Sequence, residues 1–267
     1  MCGITGYFSY NKKINSNYFY QAHKLISHRG PDDEGFITKT KNKLEQKYGK
    51  DSSYDYSKDK YFQDNKNYSL IFGHRRLSII DLSQNGHQPI IFENLSLIFN
   101  GEIFNYIEIR EELKNQGYKF YSDCDSEVFL KAFHNWGPKA FNKFNGMWSA
   151  AIYNLKKNNL ILTRDRFGIK PLYYSTINEQ IIFGSEIKFL RKLEKFDQVD
   201  RESVYDYIRY GYVDHTNKTF FKNIFQLEPG NYLEYNKKGI LITNFYKLSY
   251  EEKRDKNKKL ILREIIN

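Results

Sequence analysis

The chain has 267 residues, 40% of them hydrophobic and 17% aromatic, which suffices for one large folded domain plus a short extension. Its formal charge is +10, but the lysines are scattered among Asn, Ile and Tyr, which disfavours a nucleic-acid partner. With only two cysteines, a disulfide framework is excluded, and no run of about 20 apolar residues could span a membrane. Because the N-terminal residues do not form a signal peptide either, the sequence predicts a soluble cytoplasmic protein.

The first quarter of the chain alternates regular elements with polar loops. Residues 4–10 predict a strand and residues 18–27 a short amphipathic helix. HRGPDDEG (28–35) predicts a turn-rich loop, because Gly-Pro stops a helix. Residues 39–67 are polar, rich in lysine and short of aliphatic side chains, which predicts a surface insertion.

Short predicted strands then follow one another closely, with single helices between groups of them. Helices are predicted over 107–116, which Gly117 ends, and over 125–137. Strand patterns occupy parts of 68–83, 95–106, 147–154, 159–165, 172–176 and 180–186. This order argues for an α+β or layered α/β/β/α architecture and lacks the regular βαβ alternation of a Rossmann fold.

The pattern changes after Asp200. ESVYDYIRYG (202–211) predicts a helix and GNYLEYN (230–236) a strand. The chain then closes with the charged run EEKRDKNKKLILREIIN (251–267), which resembles the beginning of an element whose packing partner lies outside this chain.

The N-terminal thiol is the most distinctive candidate for chemistry. The sequence holds no G-x-S-x-G elbow, no P-loop and no Rossmann glycine fingerprint, and its six histidines show no metal-ligand spacing. Once Met1 is removed, Cys2 carries a thiol and a free α-amine on one Cα. An amine with a pKa of ~7.7–8.0 can serve as a base, and a thiol near ~8.5 needs only modest help to ionise. The alternative is that this cysteine is incidental.

Acyl transfer also needs donors for an oxyanion and charged groups for the substrate. Asn100 and Gly101, in FNGE, offer a side-chain NH₂ and a backbone N–H, although an ordinary Asn-Gly hairpin turn is the favoured local alternative. Arg75 or Arg76 could hold a substrate carboxylate. Asp125 could hold a substrate ammonium, its alternative role being a helix N-cap.

Eight blocks occur here in the order of one known family. They are MCGITGYF, HRGPDDEG, FGHRRLSIIDLSQNGHQP, FNGEIFNY, DCDSEVFL, FNGMWSAAIYN, LTRDRFGIKPLYY and FGSEIKFL. The succession closely resembles the glutamine-hydrolysing half of asparagine synthetase, a class II glutamine amidotransferase domain. The implied fold is α+β, a four-layer α/β/β/α N-terminal-nucleophile hydrolase sandwich. HRRLSIIDL distinguishes this branch from amidophosphoribosyltransferase and glucosamine-6-phosphate synthase.

The resemblance implies a role for each matched site residue. Cys2 is the nucleophile and its amine the base, with Asn100 and Gly101 as the oxyanion hole. The implied glutamine-binding residues are Arg76 for the carboxylate, the backbone of Leu77, Ser78, Ile79 and Ile80 for the pocket wall, Asn100 and Gly101, and Glu102 and Asp125 around the α-amino group. Cys124 is expected to be a bystander, and RDRFGIKPLYY a strand-turn-strand packing element. No metal or cofactor is expected for glutamine hydrolysis.

The implied domains are an amidotransferase domain over 2–215, interrupted by the insertion 39–67, and a connector with the truncated start of a synthetase domain over 216–267. The pyrophosphate-binding Ser-Gly-Gly-x-Asp-Ser loop of that second domain does not occur in the sequence. ATP and Mg²⁺ are therefore expected only with the missing synthetase domain. The expected partners are glutamine and a synthetase domain or chain that accepts ammonia; formation of a homodimer is left open.

The expected function is hydrolysis of glutamine to glutamate and ammonia through a Cys2 thioester, for ATP-dependent amidation of aspartate elsewhere. Two alternatives remain open. One is an amidotransferase that serves another acceptor, such as a sugar carboxylate, because the 39–67 insertion departs from the commonest relatives. The other is an inactive truncated module that only binds a partner.

Overall fold

Side chains alternate between two faces along the strands, and this alternation builds two packed sheets. In the first strand, Ile4 and Phe8 face the other sheet while Tyr7 faces a helical layer, because successive side chains of a strand point to opposite sides. The computed structural model describes residues 1–53 and 60–248. Strands β1 to β15 are, in order, Gly3–Ser9, Ile14–Asn15, Asp33–Thr40, Lys43–Tyr48, Asn67–Tyr68, Leu70–Arg76, Ile90–Phe92, Leu95–Ile103, Gly146–Asn154, Asn159–Arg164, Tyr173–Ser175, Gln180–Gly184, Phe225–Gln226, Asn231–Asn236 and Gly239–Asn244.

Six α-helices occur in the described ranges. Helices α1 to α6 are Ser16–His23, Tyr106–Asn115, Asp125–Trp136, Ala140–Lys143, Ile187–Leu193 and Arg201–Tyr210, and 3₁₀ turns lie at Lys24–Arg29, Gln84–Gly86 and Gly137–Lys139. Helix α1 begins before the predicted position because the side chain of Asn15 accepts the backbone N–H of Asn17 at 3.0 Å, which caps the helix. None of the described helices is long and apolar enough to cross a membrane.

Antiparallel ladders connect the strands of both large sheets. One sheet has the order β13-β11-β12-β1-β6-β3-β4 and the other β15-β14-β10-β9-β8-β7, while β2 and β5 form a separate pair. One apolar cluster fills the space between the sheets. A second covers the outer face of the seven-stranded sheet beneath α1 and α5, and a third covers the six-stranded sheet beneath α2, α3 and α4. The predicted α/β/β/α sandwich is confirmed.

Two local expectations differ from the structure. The loop predicted over 28–35 is shorter, because strand β3 already begins at Asp33. The Asn-Gly turn alternative is wrong: Asn100 and Gly101 lie inside β8, directly opposite Ser149 and Trp148 of β9. The apolar residues on both sides of the Asn-Gly pair continue the alternation of the strand, and this outweighs the local turn preference.

Residues 39–67 are partly integrated into the sandwich. They supply the edge strand β4, and the side chain of Phe62 is fully buried against Phe19 and Phe36. Residues 54–59 lie outside the described part of the chain. The buried aromatic residues Tyr48 and Phe62 stand far apart in a polar stretch and give little periodic signal, so the sequence does not reveal this packing.

Strands also form beyond residue 215. Strand β13 extends the seven-stranded sheet at β11, and β14 pairs with β10 in the six-stranded sheet. The terminal sequence KKLILREIIN (258–267), part of the predicted synthetase start, lies outside the described residues. The domain boundary after residue 215 and the synthetase start therefore stay predictions.

Candidate active site

The candidate site lies at one edge of the space between the two sheets. Arg76 ends β6 with the same orientation as Leu70 and Phe72, which face the opposite sheet. Cys2 directly precedes β1, whose Gly3 pairs with Arg75, so the thiol and Arg76 lie at the same end of neighbouring strands. A cavity of about 330 Å³ opens there. Its lining includes Met1, Cys2, Arg76, Leu77, Ile79, Ile80, Gly86, Gln88, Phe99, Asn100, Gly101, Glu102, Cys124, Asp125, Ser126, Met147 and Lys170.

The thiol of Cys2 is held against the start of the loop that follows β6. Its Sγ accepts the backbone N–H of Leu77 at 3.3 Å and lies 3.6 Å from the Leu77 carbonyl oxygen. Burial raises the pKa of this thiol, whereas the Leu77 N–H, the terminal amine and Arg76 act to lower it. The net shift is upward, so burial favours the neutral thiol, and a base is needed to form the thiolate, which is the form that reacts as a nucleophile.

Arg76 is the arginine that faces the cavity. Its guanidinium donates to the carbonyl oxygen of Ser83 at 3.2 Å and to that of Asp81. Gly86 leaves room for it, because a Cβ at that position would lie 1.9 Å from Nη2 of Arg76. Arg75 does not line the cavity, and its guanidinium pairs with Glu34 and Asp51 at 2.7 Å each.

Asn100 and Gly101 bring two different donors to the cavity. Asn100 is 1% exposed, and its Nδ2 donates to the hydroxyl of Ser149 at 3.3 Å. Gly101 packs directly against β9, where a Cβ would lie 2.3 Å from the carbonyl oxygen of Met147. The absence of a side chain therefore lets the backbone of β8 approach β9 closely at this point.

Two carboxylates bring negative charge to the cavity lining: Glu102 in β8 and Asp125 in α3. Oδ2 of Asp125 accepts the backbone N–H of Ile103 at 2.9 Å. The N-cap alternative is wrong, since Asp125 is the first residue of the helix and Cys124 occupies the cap position. Burial raises the pKa of Asp125 to about 6, with the bond from Ile103 acting against the shift.

The loop after β6 supplies most of the predicted pocket wall. Leu77, Ile79 and Ile80 line the cavity, but Ser78 does not. The backbone N–H of Ser78 instead donates to Oδ2 of Asp32 at 2.7 Å, which ties this loop to HRGPDDEG. Nine of the ten predicted site residues therefore surround one cavity.

Further lining residues were not singled out from the sequence. Cys124, the expected bystander, lines the cavity; its Sγ lies 3.6 Å from the carbonyl oxygen of Ile80, and burial raises its pKa to about 11. Met147 and Lys170 belong to the quoted blocks FNGMWSAAIYN and LTRDRFGIKPLYY, so those blocks were a usable signal. The second block forms a strand-turn-strand as expected, with β10 ending at Arg164 and β11 beginning at Tyr173. In the described ranges, no group of three or more His, Cys, Asp or Glu side chains could hold a metal ion.

Comparison with known sequences identifies similar domains. A family profile described as a glutamine amidotransferase domain matches residues 55–246. Asparagine synthetase (glutamine-hydrolysing) 1 of Bacillus subtilis is 34% identical over 268 residues, which cover 98% of this chain and 38% of that protein. Asparagine synthetase (glutamine-hydrolysing) 2 of the same organism is 34% identical over 249 residues, with 88% and 29% covered. The chain thus spans less than half the length of these curated relatives.

Solved structures show the same fold at lower sequence identity. A glutamine phosphoribosylpyrophosphate amidotransferase from Bacillus subtilis, complexed with ADP and GMP, superimposes with a TM-score of 0.68 at 19% identity, covering 92% of this chain and 49% of that one. A glutamine aminotransferase class-II domain protein from Silicibacter pomeroyi gives 0.52 at 14% identity, covering 92% and 100%. The sandwich is therefore the N-terminal-nucleophile type of fold predicted from the sequence.

Proposed function

The chain belongs to the class II glutamine amidotransferase family, and from this premise we propose that it hydrolyses glutamine to glutamate and ammonia at Cys2. The observation that supports this proposal is the gathering of Cys2, Arg76, Asn100 and Asp125 around one cavity. A thiol, a buried guanidinium, an amide donor and a buried carboxylate are the groups that the reaction needs. Removal of Met1 is part of the proposal, because it frees the α-amine of Cys2.

The charges of the cavity match those of free glutamine. Arg76 binds the α-carboxylate with the guanidinium donors that Ser83 and Asp81 leave available. Glu102 and Asp125 bind the α-ammonium, which compensates one of their two negative charges. The side-chain amide then lies at the Cys2 sulfur. A substrate without both α-charges would leave a buried charge unpaired, which is costly.

The reaction proceeds through a thioester. The Cys2 sulfur attacks the side-chain amide carbon, and its proton passes to the α-amine. The negative oxygen of the tetrahedral intermediate is stabilised by Nδ2 of Asn100 and the backbone N–H of Gly101. The carbon–nitrogen bond breaks and the amine gives its proton to the leaving ammonia. Water, activated by the same amine, then cleaves the thioester, releases glutamate and regenerates the thiol.

The acceptor of the ammonia is proposed from the relatives. Their names point to amidation of aspartate by a synthetase domain or chain, which would bind ATP and Mg²⁺; a sugar carboxylate is the alternative acceptor. Exposed apolar side chains on loops at the cavity edge support the presence of a partner there: Ile79, Leu82, Phe104, Phe167 and Ile169 are each at least 56% exposed. A cytoplasmic location belongs to the same proposal.

The test is ammonia release from glutamine by the purified full chain, with Cys2→Ala as the comparison. We expect turnover in the unaltered protein and none in the variant, at equal far-ultraviolet circular dichroism. A diazoketone analogue of glutamine should alkylate the Cys2 sulfur with loss of N₂, adding the mass of the reagent less N₂ to the Cys2 peptide and leaving the Cys124 peptide unlabelled. Equal ammonia release by both proteins would refute the assignment.

The second candidate function is a non-catalytic module that only binds a partner. It is favoured if the intact mass of the purified protein shows that Met1 is retained, since a blocked amine leaves Cys2 without its base. In that case we expect neither ammonia release nor labelling by the analogue.

A further inference from the structure

The side-chain amide of Asn100 can turn either its NH₂ group or its carbonyl oxygen toward the cavity. Its NH₂ group would stabilise an oxyanion, whereas its carbonyl oxygen, after rotation of the terminal group, would repel one. The catalytic value of Asn100 therefore depends on a contact that holds its NH₂ group in place. The inference below rests on the proposed glutamine hydrolysis.

Ser149 is the neighbour that hydrogen-bonds to the terminal NH₂ group of Asn100. It lies directly opposite Asn100 in the β8–β9 ladder, and both side chains face the space between the sheets with Ile98 and Ala151. Nδ2 of Asn100 donates to Oγ of Ser149 at 3.3 Å. Asn100 is 1% exposed and Ser149 is 0% exposed, so water does not readily replace either partner.

The backbone beside Asn100 is fixed independently of Ser149. Nε2 of His74, in the opposite sheet, donates to the carbonyl oxygen of Phe99 at 3.0 Å, and Oε1 of Gln88 accepts the Phe99 N–H at 2.8 Å. These bonds hold the strand but not the terminal amide. Loss of Ser149 should therefore release only the rotation of that amide.

We propose that Ser149 is a positioning residue for glutamine hydrolysis, whose hydroxyl accepts one N–H of Asn100 and keeps the other available to the oxyanion. Ser149 touches neither the substrate nor the sulfur in this proposal, and it acts through Asn100. Its effect should therefore be confined to the transition state.

The first measurement is steady-state glutamine hydrolysis by Ser149→Ala. Loss of one neutral hydrogen bond predicts a decrease of about 3- to 10-fold in kcat, with KM for glutamine changed by less than about 2-fold. Ser96→Ala is the matched control, because Ser96, in the neighbouring strand β8, is also fully buried, and its hydroxyl has no partner among the described residues. That control should keep kcat and KM.

A double-mutant cycle separates positioning from a general structural effect. In an Asn100→Ala background, the further change Ser149→Ala should leave kcat unaltered, since there is no amide left to orient. A purely structural role predicts the same relative loss in both backgrounds, and that result would overturn the proposal.

A transition-state probe gives a second readout. The γ-aldehyde analogue of glutamate forms a tetrahedral adduct with a thiolate, whereas glutamate does not. Ser149→Ala should weaken inhibition by the aldehyde by the same factor as kcat and leave inhibition by glutamate unchanged. Unchanged kcat in Ser149→Ala with an active unaltered protein would overturn this inference alone, whereas an unaltered protein without hydrolysis would overturn the proposed function together with it.

Discussion

Arg75 and Arg76 are neighbours in the sequence, yet their guanidinium groups lie on opposite faces of β6. Arg75 pairs with Glu34 and Asp51 on the outer face, and Arg76 lines the cavity on the inner face. The pleat of the strand produces this separation, because side chains one residue apart must point in opposite directions. The two arginines therefore serve as controls for each other.

Replacing each arginine by lysine should have different consequences. Arg76→Lys removes the planar donor pair for the substrate carboxylate, so we expect KM for glutamine to rise by roughly 10- to 100-fold at similar stability. Arg75→Lys weakens a buried ion pair and should lower the free energy of unfolding by on the order of 1–3 kcal/mol with little change in KM. Steady-state kinetics and urea unfolding distinguish them. A larger KM effect from Arg75→Lys would contradict this assignment.

Gly86→Ala should displace the guanidinium of Arg76. The added Cβ would lie 1.9 Å from Nη2 of Arg76, and the guanidinium must move away. We expect about a 10-fold rise in KM for glutamine, read from initial rates. Gly137→Ala is the control: its φ is +58° and no atom lies within 4 Å of the new Cβ, so it should cost about 1 kcal/mol of stability and leave KM alone.

Protonation of Asp125 should make kcat/KM fall as the pH is lowered through about 6, which forms the acidic limb of the pH profile. Burial raises its pKa to about 6 in the free protein, so the carboxylate that would hold the substrate ammonium is neutralised as the pH falls through that value. Asp125→Asn should raise KM and remove this limb. A limb of unchanged position in Asp125→Asn would show that another group titrates.

The same shift predicts a gain in stability from Asp125→Asn. A raised carboxyl pKa means that the unfolded state ionises first, near ~3.9, so stability is lost as the pH rises toward 6. The gain for asparagine should be about 1–3 kcal/mol at pH 7 and absent below about pH 4. Thermal unfolding at the two pH values tests this sign.

His74 should make the protein sensitive to acid. Full burial lowers its pKa to about 3, while its bond to the Phe99 carbonyl opposes the shift. The unfolded state takes up the proton near ~6.5, so between that pH and about 3 stability falls as the pH falls, by on the order of 5 kcal/mol. His74→Gln, which keeps a donor, should flatten the stability profile over that window. Urea unfolding at pH 7, 5.5 and 4.5 would reveal an unchanged slope if another group were responsible.

Much of the fold and the site could be predicted from the sequence, because strands, helices and the family blocks are local patterns. The choice of Arg76 over Arg75 came from the resemblance, and the pleat gives a physical reason for it. Other features depend on pairing between distant segments. The register that brings Ser149 opposite Asn100 joins residues 49 positions apart, and burial of Phe62 depends on residues of α1 and β3. Neither leaves a periodic signal in its own segment.

Strands β13 and β14 have a practical consequence for the isolation of the amidotransferase domain. Strand β14 hydrogen-bonds along Leu160–Thr163 of β10, and β13 along Tyr173–Tyr174 of β11. A recombinant fragment that ends at residue 215 would lack both strand pairings. Its sheets would then expose unpaired edge strands, which favour aggregation. A fragment intended for crystals or spectroscopy should therefore extend at least through Asn244.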